Sequence, residues 1–120
     1  MVKLSQVVSM LKHIDVDYTH VDTDKIVVAD LHRDCSFYFK QRGEDILFRI
    51  GHATVNEDGR IVPYGFTVEV NNLSSLSYCC YMTKVAKKVP TSRAQLDELV
   101  EEIKKQGWVD AMSSVVSELQ

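Results

Sequence analysis

The sequence lacks several features that define large classes of proteins. No apolar run approaches the roughly 18 residues that a membrane-spanning helix needs. Polar residues interrupt the apolar ones throughout the first 15 positions, and no small-residue cleavage site of a secretory signal follows them. The five glycines stand singly, so the sequence contains neither a Walker phosphate-binding loop nor the G-x-G-x-x-G motif of dinucleotide-binding proteins. We therefore expect a cytoplasmic protein with no membrane association and no nucleotide cofactor.

Basic charge and disulfide-forming cysteines are also scarce. The net charge of −3 argues against general binding to a nucleic-acid backbone, which requires a basic surface. Cys35 stands alone, and Cys79 and Cys80 are adjacent, which rarely permits a relaxed disulfide. An odd number of cysteines is typical of a reducing compartment, in which buried thiols act as small apolar side chains. With 120 residues, 45% of them hydrophobic, the chain is long enough for one domain, residues 1–120, with its own core.

The first two thirds of the chain predict one helix followed by strands. Apolar residues at helical spacing predict a helix over residues 4–14. Alternating segments then predict strands at 25–31, 36–41, 46–55 and 66–72, with turns at 42–45 and 56–60. Pro63 cannot donate a ladder hydrogen bond, so its segment should lie at a sheet edge or a bulge. The short connections make neighbouring strands antiparallel, and we predict a meander of three to four strands.

Helical spacing returns in the last third of the chain. Residues 77–89 favour a helix, although residues 76–83 also fit a strand and both alternatives remain open. Residues 91–107 predict a helix, with Thr91 or Ser92 as its capping residue and Gly107 at its end. Residues 108–119 carry a strongly apolar stripe. Strands followed by helices predict an α+β domain, in which two to three C-terminal helices pack on one face of the antiparallel sheet.

Two surfaces are candidates for binding another protein or a second copy of the chain. On the sheet face away from the helices, alternation places Tyr38, Leu47 and Arg49, a mixture typical of contact surfaces. The last helix offers a second candidate, because groove-binding helices present apolar anchors at this spacing. The default expectation for that helix is docking on its own sheet, and packing against a partner is the alternative. Its candidate contact residues are Trp108, Met112 and Val116.

Residues 13–25 contain four aspartates and two histidines. A calcium-binding EF loop that starts at Asp15 would need glycine and glutamate where His20 and Ile26 stand. A second histidine pair for a zinc site is missing. We therefore predict no metal site and interpret residues 15–21 as an edge strand whose charges oppose edge-to-edge pairing. Carboxylates that hold a divalent ion, and an acidic docking patch, are the alternatives for Asp15, Asp17, Asp22 and Asp24.

Catalytic and nucleic-acid-binding functions have weaker support. Cys35 could be a nucleophile beside His32, but on one extended chain the two would lie on opposite faces. His52 could act as a base in hydrolysis, but the sequence lacks the G-x-S-x-G motif that would supply a serine nucleophile. We predict no catalytic residue and no cofactor, with a metal-dependent or His/Asp-based small enzyme as the alternative. A third alternative is weak nucleic-acid binding through Lys84–Lys88, beside tyrosines that could stack on bases.

The function that these patterns favour is a small cytoplasmic protein-interaction module. An adaptor, a chaperone-like factor or a protein inhibitor all fit, including the inhibitors that viruses encode. The order of elements by itself does not distinguish these functions, because one fold serves many of them. The prediction is therefore a surface that binds a protein, without catalysis.

Overall fold

A computed structural model describes the backbone of residues 1–21, 25–32, 35–55, 57–59, 61–86, 90 and 92–119. Side chains are described for all of these except residues 30–32, 35, 36, 52–55 and 61–66. The elements in chain order are α1 (Leu4–His13), β1 (Thr19–Val21), β2 (Ile26–His32), β3 (Cys35–Arg42), β4 (Asp45–Val55), β5 (Ile61–Val70), α2 (Leu73–Val85), α3 (Arg93–Lys105) and α4 (Trp108–Leu119). The predicted α+β class and order of elements are confirmed. No helix within the described ranges is long and apolar enough to cross a membrane.

The strands form one antiparallel sheet in the order β1-β2-β3-β4-β5. The meander is confirmed, but it has five strands rather than three to four. The additional strand, β1, is only three residues long, too short for alternation to identify it. Only Thr19–Val21 of the predicted 15–21 strand pairs, and it does so at the sheet edge. Pro63 lies in the other edge strand, β5, as its missing N–H requires.

The main core lies between one face of the sheet and the helices. Phe48 of β4 contacts Phe39 and Phe37 of β3 at ring-centroid distances of 4.8 and 5.7 Å, so aromatic packing joins these two strands on this face. Alternate residues of β2, β3 and β4 enter the same core. The buried sheet residues on this face are Val27, Ala29, Phe37, Phe39, Ile46, Phe48, Ile50 and Val70.

Helix α2 is the centre of the helical layer, since it packs against α1, α3 and α4. Neighbours on several sides bury Leu76, Ser77 and Met82 on different sides of the helix, which explains its weak helical periodicity. The ambiguous residues 76–83 are therefore helical. The helix begins earlier than predicted, because the side chain of Asn72 accepts a hydrogen bond of 2.8 Å from the backbone N–H of Ser75.

Helix α2 buries two free cysteines and a threonine hydroxyl. Cys79 and Cys80 are buried free thiols, as predicted, and burial raises the pKa of Cys79 to about 12. The Thr83 hydroxyl donates to the backbone oxygen of Cys80 at 2.7 Å, so this buried polar group is satisfied within the helix. The side chain of Cys35 lies outside the described residues.

The last two helices begin and end where the sequence predicts. The hydroxyl of Ser92 accepts a hydrogen bond of 3.2 Å from the backbone N–H of Gln95 and caps α3. The chain turns at Gly107, whose φ of 73° is typical of a glycine after a helix C-terminus. Trp108 begins α4 directly after this turn, so α3 and α4 form a tight helical hairpin.

Candidate functional site

The described helices lie on one side of the sheet, and we call the other side the open face. The register aligns Tyr38 with Arg49 and Arg49 with Thr67 across adjacent strands, and Lys40 with Leu47 in the next row. The predicted contact residues Tyr38, Leu47 and Arg49 therefore share one face. Its two rows are Thr19, Val28, Tyr38, Arg49 and Thr67, followed by Val21, Ile26, Lys40, Leu47 and Glu69.

A second, smaller apolar cluster lies on the open face. Ile26, Val28 and Tyr38 form it, with Val21 packed at its margin, and it is separate from the main core. Tyr38 is only 3% exposed and Leu47 only 6%. Alternation alone predicts a mixed, accessible surface, whereas the structure shows a compact apolar floor with polar side chains around it. Any partner would therefore contact mainly the rim of this floor.

Arg49 is the polar side chain that interrupts this floor. It is half-buried, and its buried Nε atom has no hydrogen-bond partner in the described part of the chain. Its own row contains no acidic residue, and the exposed Glu69 lies on the adjacent strand one row away. A buried donor without an acceptor is costly, and a guanidinium group binds a carboxylate through paired N–H donors. The arrangement is suited to receiving a carboxylate from outside the chain.

The apolar stripe of α4 is largely buried within the domain. Met112 is fully buried, and Trp108 and Val116 are half-buried against the main core. The rings of Trp108 and Tyr78 are 4.2 Å apart. The helix packs mainly on α1, α2 and α3, so it docks within its own domain through the helical layer. In this structure Met112 is not available to a partner.

The acidic candidates are only partly described. Asp15 and Asp17 are exposed, and Asp15 has a φ of 61°, in the turn that follows α1. Asp22 and Asp24 lie outside the described residues. His20 contacts the ring of Tyr18 edge-on at 5.7 Å. No group of three metal-ligating side chains occurs among the residues whose placement is described.

The backbone register brings together three residues that the sequence analysis separated. His32 is the cross-strand partner of Cys35, and Cys35 is the partner of His52 on the next strand. The expectation that His32 and Cys35 lie on opposite faces is wrong, because they belong to different strands of a hairpin rather than to one extended strand. A register shift between Asp30 and His32 completes this alignment.

Lys84, the first residue of the basic stretch Lys84–Lys88, forms a hydrogen bond within the fold. The Lys84 ammonium donates a hydrogen bond of 2.6 Å to the backbone oxygen of Ile14, directly after α1. Lys87 and Lys88 lie outside the described residues. Lys84 thus has a structural partner, which sequence spacing could not reveal because the two residues are 70 positions apart.

Comparison of the chain with protein-family models, with curated proteins and with solved structures finds no match. Functional inference therefore depends on the geometry of the chain itself.

Proposed function

We propose that this chain is a protein-interaction module that binds its partner through the open face, with Arg49 as the central contact. The observation that carries the proposal is the buried Nε of Arg49, which has no acceptor among the described residues and lies beside an apolar floor. A partner that presents an aspartate, a glutamate or a C-terminal carboxylate would satisfy this donor, and the side chains around that carboxylate would contact the rim of the floor. Arginine is enriched at the energetic centres of protein interfaces for this reason.

The proposal includes the cytoplasm as location and an adaptor, chaperone-like or inhibitory role. The partner is another protein or a second copy of this chain. A second copy has a specific rationale, since the exposed Glu69 could face Arg49 across a two-fold axis. Light scattering of the purified chain distinguishes these two partners before any search for a third protein.

The experiment is affinity purification from the native host with three versions of the chain: the wild type, Arg49→Met and Lys105→Met. Lys105 is an exposed cation on α3, on the other side of the molecule, and serves as the matched control. We expect the wild type and Lys105→Met to retain the same partner and Arg49→Met to lose it. If the wild type is a dimer, the corresponding readout is dissociation of Arg49→Met into monomers.

Two results would contradict this function. One is a partner that binds Arg49→Met as well as it binds the wild type. The other is a wild-type chain that stays monomeric and retains no protein above the level of an unrelated control. Circular dichroism of Arg49→Met must show a folded chain, so that loss of binding is not confused with loss of structure.

A second candidate function is a metal-dependent or histidine-based activity at the row formed by His32, Cys35 and His52. The register supports it, because residue types that ligate zinc occupy neighbouring positions on three strands. Elemental analysis of the purified chain tests it directly. One zinc ion per chain that is lost in Cys35→Ser, but kept in the control His20→Gln, would favour this candidate over the interaction module.

A further inference from the structure

A cavity of about 350 Å³ lies between the sheet and the helical layer. Its floor consists of Phe48 and Val68, and one wall is formed by Tyr78 and Met82 of α2. Trp108 closes one side. The volume is at the lower end of the range of about 300–1,000 Å³ for small-molecule pockets in proteins.

The cavity exists because α3 does not pack closely on the sheet. This helix packs against α2 and α4, and it is anchored there by the buried side chains of Leu96 and Ile103. A space consequently remains between α3 and strands β4 and β5, which carry Phe48 and Val68. This space is open to solvent along part of its surface, so a ligand can enter it.

Few polar groups in the cavity could orient a polar ligand, and the lining serines, Ser74 and Ser75, are exposed. The Tyr78 hydroxyl donates a hydrogen bond of 2.9 Å to the backbone oxygen of Val100 and is therefore satisfied. Burial keeps the Cys79 thiol protonated, since its pKa is raised to about 12. Apolar contacts therefore dominate the interior, which suits a hydrocarbon chain rather than a sugar or a nucleotide.

The rim of the cavity has the opposite character. Arg93, Asp97 and Lys104 line it from α3. Arg93 is 3.4 Å from Asp97, and Lys104 is 3.3 Å from Glu101, in exposed ion pairs of small energy. Either cation can exchange its partner for another carboxylate at little cost. An entering carboxylate would replace one of these partners, whereas an uncharged head group would leave both ion pairs intact.

The positions of the two cations define an elongated site. Arg93 and Lys104 are 11 residues apart on α3. At about 1.5 Å per residue they are separated by roughly 16 Å along the helix axis. A slot with an apolar floor and a cation at each end suits an extended chain that carries one acidic head group.

We infer that this cavity binds a single-chain carboxylate amphiphile, such as a medium-chain fatty acid, with the hydrocarbon over Phe48 and Val68 and the carboxylate at Arg93 or Lys104. This site is on the opposite side of the sheet from Arg49. It is independent of the proposed protein interaction, and each can fail without the other.

The experiment is titration of the full chain with dodecanoate below its micelle concentration. Trp108 is the only tryptophan and lines the cavity, so its fluorescence reports occupancy, and calorimetry gives the stoichiometry. We expect saturable binding of one ligand per chain. Dodecanol, with the same chain and no charge, should bind about two- to fivefold more weakly than dodecanoate.

Matched variants locate the site. Val100→Phe fills the cavity from α3 and should weaken binding roughly tenfold or more, whereas Val109→Phe on the exposed side of α4 should not. Lys104→Gln should weaken binding of dodecanoate about two- to fivefold without affecting dodecanol, and the adjacent Lys105→Gln should change neither. The lysine variants change exposed side chains, so they test the site even if Val100→Phe folds poorly.

Three outcomes would overturn the inference: no saturable binding, dodecanoate binding that both Val100→Phe and Lys104→Gln leave unchanged, or equal affinity for dodecanoate and dodecanol. The last outcome would show an apolar pocket that does not recognise the acidic head group. A two-to-one or higher stoichiometry would indicate nonspecific adsorption, and would also count against a single site.

Discussion

The Lys84 ammonium and the backbone oxygen of Ile14, 2.6 Å apart, join α2 to the end of α1. A cation at this position satisfies a carbonyl group that α1 leaves unpaired, and it complements the negative end of the helix dipole. The relationship changes the interpretation of the basic stretch at 84–88, because its first lysine stabilises the fold.

We predict that Lys84→Met lowers the free energy of unfolding by about 1 kcal/mol, through loss of a charge-assisted hydrogen bond at a partly exposed position. Urea denaturation at neutral pH measures this change. Lys105→Met, an exposed lysine near the end of α3, is the control and should differ from the wild type by less than about 0.5 kcal/mol. Equal stabilities of the two variants would contradict a capping role for Lys84.

Gln41 connects the start of the chain to the turn between β3 and β4. Its amide nitrogen donates to backbone oxygens, and its Oε1 accepts from a backbone N–H at 3.0 Å. Gln41→Glu keeps the shape and replaces the donor by a carboxylate that faces three carbonyl groups. We predict a loss of about 2–3 kcal/mol in urea denaturation. The nitrogen's acceptors are Val2, Gly43 and Asp45, at 2.9, 2.9 and 3.0 Å.

The control for Gln41 is Gln106→Glu, at the exposed end of α3, which should cost less than about 1 kcal/mol. Gln41→Glu should also expose the first residues of the chain. Hydrogen exchange at the backbone N–H of Leu4, which donates to Gln41, should therefore become faster. A destabilisation of Gln41→Glu no larger than that of Gln106→Glu would show that this network contributes little.

Arg49→Met should have opposite effects on binding and on stability. Removal of a buried donor without an acceptor, in favour of an apolar side chain, should leave the free energy of unfolding unchanged or raise it by up to about 1 kcal/mol. Thermal and urea denaturation of the purified variant measure this. A loss of more than about 1 kcal/mol would instead indicate that Arg49 has a structural role within the domain.

Stability should fall at alkaline pH because of the buried thiol of Cys79. Its pKa is about 12 in the folded chain and 9.0 when unperturbed, so folding favours the protonated thiol. This contribution is fully present below pH 9.0 and is lost as the pH rises towards 12. We predict that about 2 kcal/mol is lost between pH 8 and pH 10.5 in reducing buffer.

The variant Cys79→Ala tests the origin of that pH dependence, since it removes the titrating group and should lose less stability over the same interval. Ser77→Ala, a buried change on the same helix without a titrating group, should keep the wild-type dependence. Identical pH dependence in all three proteins would assign the effect to other residues.

Local signals in the sequence located the helices better than the strands. Helices α1, α3 and α4 show clear apolar stripes, and Ser92 and Gly107 mark the boundaries of α3. Helix α2 is less regular because neighbouring elements bury several of its sides, and the stripe criterion assumes one buried side. Its true start depends on the capping residue Asn72, which a search for apolar periodicity does not detect.

The candidate sites depend on contacts between strands, which the alternation of residues along a single strand does not predict. Alternation correctly grouped Tyr38, Leu47 and Arg49 on one face, because these residues follow the two-residue period of regular strands. It could not show the missing acceptor of Arg49, which is a property of the folded neighbourhood. It also separated His32 from Cys35, because register across a hairpin, and not position along one strand, decides which residues are neighbours.

The strand order of the sheet has a consequence for the folding reaction. Since every strand pairs with the strand next to it in sequence, four successive hairpins can build the whole sheet without a long crossover. The chain loses comparatively little entropy in closing each of these loops. A domain of this topology should form its strand pairs faster than a sandwich of the same size, in which the partners lie far apart along the chain. An early chain of paired hairpins would then present Phe37, Phe39 and Phe48 together, as the surface on which the helices condense.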